Sequence, residues 1–408
     1  MNIPKLRFKE FTDEWKEYPL KYFTTPIKRK NTNNESDLPL TISSLDGLVD
    51  QRTYFNKVVA SKDMSNYYLL KKGEFAYNKS YSVGFPFGSI KRLDKYNQGA
   101  LSSLYICFQV NNMNSDFIVK YFESPKWHKQ ISLCVAEGAR NHGLLNVNIN
   151  DFFSTKHFLP QLVEQEKIAN FLSTVDKKIE NLENTITSLE NQKKGLLQQI
   201  FSQKLRFKDK NGNNYPNWEK KKLGDISDIT KLAGFEFTEY VTYQNHGNII
   251  ALRGLNIKNN KLDLSDVKYI DNSDFNKLSR SKLYINDLLF TYVGTIGEVA
   301  LINQNNKYYL APNVCRIRPH ECINAMYLLC LFNSNIIRKE INIYLTKSSQ
   351  PALSMENIRK FKILVPCLEE QTKIANFLSA FDRKLENQKA QLEHWQQIKK
   401  GLLQQMFV

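Results

Sequence analysis

The sequence predicts an α+β protein: two similar mixed α/β domains alternate with two long helices, which pair as an antiparallel intramolecular coiled coil with pseudo-twofold symmetry. Three observations predict this. A 43-residue segment occurs twice, each copy carries a heptad pattern, and the stretches before each copy resemble one another faintly along their length.

The duplicated segment is residues 159–201, repeated at 365–407 with a constant offset of 206, no gap and 23 identical positions. The best-matched parts are Lys167–Ser173 against Lys373–Ser379, and Lys193–Gln199 against Lys399–Gln405. In the first copy Ile168, Leu172, Val175, Ile179, Leu182, Ile186 and Leu189 follow alternating steps of four and three. In the second the same places hold Ile374, Leu378, Phe381, Leu385, Gln388, Leu392 and Trp395. A sustained a/d heptad leaves an apolar seam that needs a partner helix, and the other copy is the expected partner. Pro160 and Pro366 stand where a helix start tolerates a missing N–H. Gly195 and Gly401 occupy identical mid-helix places at a cost of about 1 kcal/mol each. They are expected to admit a close approach, either of the paired rods or of a partner.

Length and composition set the outer bounds. At 408 residues the chain has material for two or three domains, with an ordinary apolar content of 42%. It contains no run of eighteen apolar residues and no apolar signal core in Met1–Lys9, so a cytoplasmic protein is expected rather than a membrane or secreted one. Six cysteines without CxxC spacing point to free thiols, and Cys315, His320 and Cys322 match no zinc spacing, so no metal site is expected. The net charge is +16. Residues 159–201 hold five Lys against six acids and residues 365–407 hold six Lys/Arg against five, so the excess lies outside the helices. Basic domains on neutral rods suit a polyanion, nucleic acid first.

Residues 1–158 and 204–364 are the two variable domains, and 159–203 and 365–408 the helical segments. Both domains open with Lys-Leu-Arg-Phe-Lys (5–9 and 204–208), followed by Trp15 or Trp218. Strand–turn units at Leu45–Asp50 and Arg253–Ile257 come next, then short apolar strands at Lys71–Tyr77 and Ile285–Thr291. Glycine-bearing loops follow at Ser80–Gly84 and Val293–Gly297. After a short helix come the polar loops Ala139–Gly143 and Thr346–Gln350.

A shared scaffold with unlike loops suits the reading of two different short targets, and base edges in DNA grooves are read by such polar side chains. One half is assigned to Ser43, Ser44, Lys79, Ser80, Tyr81, Arg140, Asn141 and His142. The other is assigned to Arg253, Asn256, Thr291, Tyr292, Thr295, Lys347, Ser348, Ser349 and Gln350. Tyr77, Tyr81 and Tyr292 offer ring faces for sugars or an unstacked base.

The order of elements, the entry Leu159-Pro160-Gln161-Leu162-Val163-Glu164-Gln165 with its echo Val365–Gln371, and the two Lys-Lys-Gly-Leu-Leu-Gln-Gln ends resemble the specificity (S) subunit of type I restriction–modification systems. The resemblance covers essentially the whole chain. It departs where the family often has a second proline and this chain has Gln161 and Cys367. It implies that the variable segments are target-recognition domains, that the duplicated helices are the conserved spacers, and that the chain binds a bipartite asymmetric site in double-stranded DNA. It further implies two methyltransferase subunits, two restriction subunits in the full complex, and S-adenosylmethionine, ATP and Mg on those partners rather than here.

The absence of catalytic motifs agrees with a non-catalytic subunit. There is no Walker A lysine motif, no GxGxxG and no Asn-Pro-Pro-Tyr, and Gly294-Thr295-Ile296-Gly297 reads as a turn. Two other readings stay open on the residues alone: a specificity subunit of another restriction system type, and a scaffold protein that contacts no DNA.

Overall fold

A computed structural model describes residues 2–57, 59–135, 145–345 and 351–408. The chain divides into two compact units, residues 1–183 with 390–408, and residues 184–389. The long helices Leu162–Phe201 and Leu368–Gln405 each give one half to each unit.

In the first unit the strand Lys16–Pro19 pairs antiparallel with Lys156–Leu159, which leads through Pro160 into the long helix. Beyond it lie two four-stranded sheets. One orders Thr24–Pro26, Ile106–Val110, Phe75–Asn78 and Ser89–Arg92, antiparallel throughout. The other orders Gly47–Asp50, Pro39–Ser43, Gln98–Leu101 and Tyr68–Lys71, with the middle pair parallel. The apolar strand and the glycine loop expected after Lys71 are there. The strand runs Phe75–Asn78 and is buried on both faces for its first three residues.

The second unit repeats this plan. Glu219–Lys222 pairs with Lys362–Val365. One sheet orders Ser227–Lys231, Val314–Pro319, Leu288–Thr291 and Val299–Leu301; the other orders Lys268–Tyr269, Ile250–Leu252 and Tyr308–Leu310, again with one parallel pair. It adds a hairpin, Ile257–Lys258 with Lys261–Leu262. The short helices also correspond. Ser115–Glu123 is capped by Asn114, whose Oδ1 accepts from the Phe117 N–H, and Ala325–Phe332 by Asn324, which accepts from the Tyr327 N–H.

The junction of each domain with its long helix is the same construction made twice. Arg7 grips Glu164 through two N–H···O bonds of 2.8 Å, and Trp15 Nε1 donates to the same carboxylate at 3.3 Å. Arg206 grips Glu370 at 2.9 and 2.8 Å, and Trp218 Nε1 donates to it at 2.9 Å. Gln165 donates to the Pro160 carbonyl and accepts from the Asn114 N–H; Gln371 does both with Pro366 and Asn324. Phe8 meets Phe171 edge-on at 5.8 Å, and Phe207 meets Phe377 at 5.5 Å. The two Lys-Leu-Arg-Phe-Lys segments thus recur because each clamps the first turns of a helix. Both carboxylates are buried, and a bidentate guanidinium is the partner that makes such burial tolerable.

Within each unit the two helices run antiparallel. In the first, Ile168 and Leu172 share an apolar cluster with Leu403, Met406 and Phe407, and Lys399 bonds Asp176 at 2.7 Å. In the second, Ile374 and Leu378 share one with Ile200 and Phe201, and Lys193 pairs with Asp382. Asp176 and Asp382, like Lys399 and Lys193, are the same positions of the repeat. Burial raises the Asp176 carboxyl, but Lys120 and Lys399 outweigh it and hold it below its ordinary value. Of the seam residues, Val175, Leu182, Ile186, Leu189 and Leu385 are also buried, while Ile179, Phe381, Leu392 and Trp395 are half-buried.

The two helix glycines differ from one of the expectations above. A Cβ built on Gly195 meets no atom within 4 Å, and one on Gly401 meets only Gln405 Nε2 at 4.0 Å. The rods therefore do not need glycine to pack together. Gly195→Ala and Gly401→Ala should each raise the stability of the isolated chain by about 1 kcal/mol, read by thermal melting. A drop instead would show that the helix backbone there depends on glycine.

Candidate nucleic-acid interface

Two of the loops assigned to the first half-site, those of Ser43–Ser44 and Lys79–Tyr81, lie close together in the first unit. Ser44 Oγ bonds Ser82 Oγ at 3.3 Å and Ser89 Oγ at 3.1 Å, tying the turn after Pro39–Ser43 to the glycine loop. Tyr81 projects from that loop, 59% exposed, and Leu45 and Val83 beside it are more exposed still. The Ser80 N–H is turned inward to Asn78 Oδ1. Lys79 lies at the start of the loop, and its carbonyl accepts from the Leu145 N–H. Ser43 is different: it is buried, donates to Asp46 Oδ2 at 2.7 Å and accepts from the Asp46 N–H, so it shapes the turn instead of facing outward. Tyr77 is buried too, its hydroxyl donating to the Phe87 carbonyl, and burial pushes that hydroxyl's pKa up. Arg140, Asn141 and His142 lie outside the described residues.

In the second unit three of the assigned residues, Arg253, Thr291 and Thr295, line a cleft of about 640 Å³. Arg253, Thr295, Lys258, Asn259, Glu298 and Tyr243 line it. Thr295 is exposed and Arg253 partly so. Asn256, in contrast, is fully buried. Its Oδ1 accepts from the Arg253 N–H, and its Nδ2 donates to the carbonyls of Asp263 and Asp266. Thr291 is also buried, with its hydroxyl donating to the Thr295 carbonyl at 2.6 Å and accepting from the Glu298 N–H. Tyr292 is buried under Lys231, whose Nζ lies 5.5 Å from the ring centroid. Asn256 and Thr291 thus spend their polar atoms within the loops, and of the three only Thr291 reaches the cleft wall. Gly294 and Gly297 take φ of +76° and +104°, as a tight turn requires. Lys347, Ser348, Ser349 and Gln350 lie outside the described residues.

Lys258, Asn259, Glu298 and Tyr243 were missed from the sequence. The signal was present for two of them. Ile-Lys-Asn-Asn-Lys-Leu is a two-residue hairpin whose central asparagines take φ of +51° and +65°, as a type I′ turn requires.

Among the described residues no group of three or more His, Cys, Asp or Glu is placed to hold a metal, and no helix is long and apolar enough to cross a membrane. His157, the one buried histidine among the described residues, has both ring nitrogens engaged with neutral hydroxyls, which makes it a structural residue.

The family model described as type I restriction modification DNA specificity domain matches residues 8–191 and again residues 215–394. The chain therefore belongs to the type I restriction–modification DNA specificity family, and its role is that of the specificity subunit. It is 25% identical over 317 residues to the type I restriction enzyme MjaVIII specificity subunit of Methanocaldococcus jannaschii, spanning 75% of this chain and 73% of that protein. It is 24% identical over 276 residues to the EcoKI specificity subunit of Escherichia coli K12, spanning 64% and 57%. Its fold is similar to the crystal structure of the type I restriction-modification system S subunit from M. genitalium, with a TM-score of 0.56 at 16% identity over 100% of this chain and 99% of that one. A chain from a study of complex assembly and conformational transition of the type I R-M system gives 0.58 at 15%, over 96% and 97%.

Proposed function

We propose that the recognition domains, residues 1–158 and 204–364, each read one half of a bipartite asymmetric site in double-stranded DNA. The spacer helices, residues 159–203 and 365–408, set the gap between the halves and dock two methyltransferase subunits, through which two restriction subunits join. The chain is not itself an enzyme: S-adenosylmethionine, ATP and Mg serve those partners, in the cytoplasm. The observation that carries this reading is the twice-built junction. Two matching Arg–Glu–Trp clamps and two matching Gln–Asn contacts hold domains of one general plan whose outer loops carry unlike side chains. A constant frame with unlike loops is what two unlike half-sites require.

In this reading Ser44, Lys79, Ser80 and Tyr81, with Arg140, Asn141 and His142, face the first half-site. Arg253 and Thr295, with Lys347, Ser348, Ser349 and Gln350, face the second. Ser43, Asn256, Thr291 and Tyr292 shape the loops that carry them. Phosphate contacts by the excess Lys and Arg supply most of the affinity, so binding weakens steeply with salt. The test is an exchange of residues 1–158 for the same segment of a relative, in a complex with the methyltransferase partner. Methylation mapping should then show one half of the site replaced and the other half and the gap retained. Alteration of both halves would refute the modular reading.

A further inference from the structure

We propose that Arg253 is a specificity-determining residue that reads a guanine in the half-site assigned to residues 204–364. The inference rests on the DNA-reading function proposed above and adds to it the base and the side chain.

Arg253 is braced before any ligand arrives. Its Nη2 donates to the Asp266 carbonyl at 2.8 Å and to Asp266 Oδ1 at 3.1 Å. Its backbone N–H donates to Asn256 Oδ1 at 3.1 Å, and Asn256 in turn bonds the carbonyls of Asp263 and Asp266. One edge of the guanidinium is thus fastened while the remainder is not. Nε is buried without a partner, and Nη1 makes no hydrogen bond among the described residues. The side chain lines the cleft, and since Nε is enclosed it is Nη1, with two hydrogens to give, that is left for a ligand.

A group that only donates discriminates among bases. In the major groove guanine offers two acceptors, N7 and O6, and no donor; adenine sets a donor beside its one acceptor, cytosine offers a donor, and thymine one acceptor and a methyl group. Guanine is the match. A phosphate would also accept from Arg253, but the cleft is not built for an anion. The Glu298 carboxylate lines it, with Oε2 accepting from the Asn259 N–H at 3.2 Å, and Asp266 already neutralises the guanidinium. A carboxylate repels a phosphate, whereas it suits the N4 amino group of the cytosine paired with that guanine. Lys258, the other cation of the cleft, is paired with Asp263 at 2.7 Å. The matching turn of the first unit, Ser44-Leu45-Asp46, holds no arginine, so this device belongs to one half-site alone.

The test uses the full chain assembled with its methyltransferase partner. A random duplex pool is selected for binding by the wild-type, R253Q and R253K complexes, and the bound DNA is sequenced. The wild type should select a split motif. In the half that survives exchange of residues 1–158, R253Q should lose the preference for guanine at a single position by about 10-fold or more, with every other position unchanged. R253K should lose most of it too, because an ammonium cannot keep one edge on Asp266 and present another. Thermal melting accompanies both; if R253Q melts early, R253K, which keeps the charge, carries the same expectation. An unchanged motif with uniformly weaker binding would make Arg253 a phosphate contact and overturn the inference. A change in the other half would overturn it as well. A wild-type complex that selects no split motif would instead defeat the DNA-reading function beneath it.

Discussion

Arg7→Ala is expected to destabilise the first unit by about 3–5 kcal/mol, among the largest effects of any single substitution outside the apolar cores. The reason is what it leaves behind. Glu164 is buried, and its carboxylate is held by both Arg7 N–H groups and by Trp15 Nε1. Without the guanidinium, an ionised carboxylate remains in the apolar junction with one indole N–H for company. Arg206→Ala should do the same in the second unit, where Glu370 keeps only the Trp218 N–H at 2.9 Å and whatever water enters. Hydrogen exchange resolves the effect by location: each substitution should weaken protection mainly in its own unit. Arg7→Leu combined with Glu164→Leu should cost less than the sum of the two single changes, since removing both charges removes the unpaired one. A loss below about 1 kcal/mol for Arg7→Ala would mean that water already solvates the pair, as it does for exposed ion pairs.

Acidification from pH 6.5 to 5 should produce the second large effect, centred on the first unit. His157 is buried with its two nitrogens engaged: Nδ1 lies 2.8 Å from the Tyr121 hydroxyl and Nε2 lies 2.8 Å from Thr155 Oγ1. The Thr155 hydroxyl gives its hydrogen to the Phe152 carbonyl at 2.7 Å, so it accepts from Nε2–H, and Nδ1 accepts from Tyr121. The ring is neutral, and burial pulls its pKa down from 6.5 to about 3. The unfolded chain then binds the proton first. Stability is fully present above pH 6.5, falls by about 1.4 kcal/mol per pH unit as pH drops below it, and levels off only near the folded value. Burial lowers the pKa of His128 in the same direction. His157→Gln, with a side chain that both donates and accepts, should flatten most of this slope between pH 6.5 and 5, where carboxylates contribute little. The same place in the second unit is Ile363, also buried, so that unit is an internal control. An unchanged slope in the variant would assign acid sensitivity to other groups.

The large-scale plan could be read from the chain because it is written twice and with a period. An offset of 206 without a gap, and apolar residues every three or four places, leave little choice about the helices or their partner. The Arg–Glu–Trp clamps are half visible: the Lys-Leu-Arg-Phe-Lys and Trp duplications stand in the sequence, but nothing there shows that they converge on Glu164 and Glu370. Sheet order, with one parallel pair in each unit, was not legible, since short strands carry no record of which neighbour they pair with. The loop assignments fared unevenly for a physical reason. Asn, Thr and Ser are the residues of turns as much as of groove contacts, and composition does not say which way a hydroxyl points. Ser43, Asn256 and Thr291 satisfy backbone groups inside the loops, whereas Tyr81, Arg253 and Thr295 remain at the surface. Tyr77 and Tyr292 are buried and offer no ring face to DNA; in sequence, aromatic residues flanking a loop look alike whether they point in or out.

The most direct measurement is a genome-wide map of methylated adenines in cells that express this chain with its methyltransferase partner. A split motif with two unlike halves and one fixed gap is the predicted result. A contiguous motif, or no new methylation from a complex that demonstrably assembles, would contradict it.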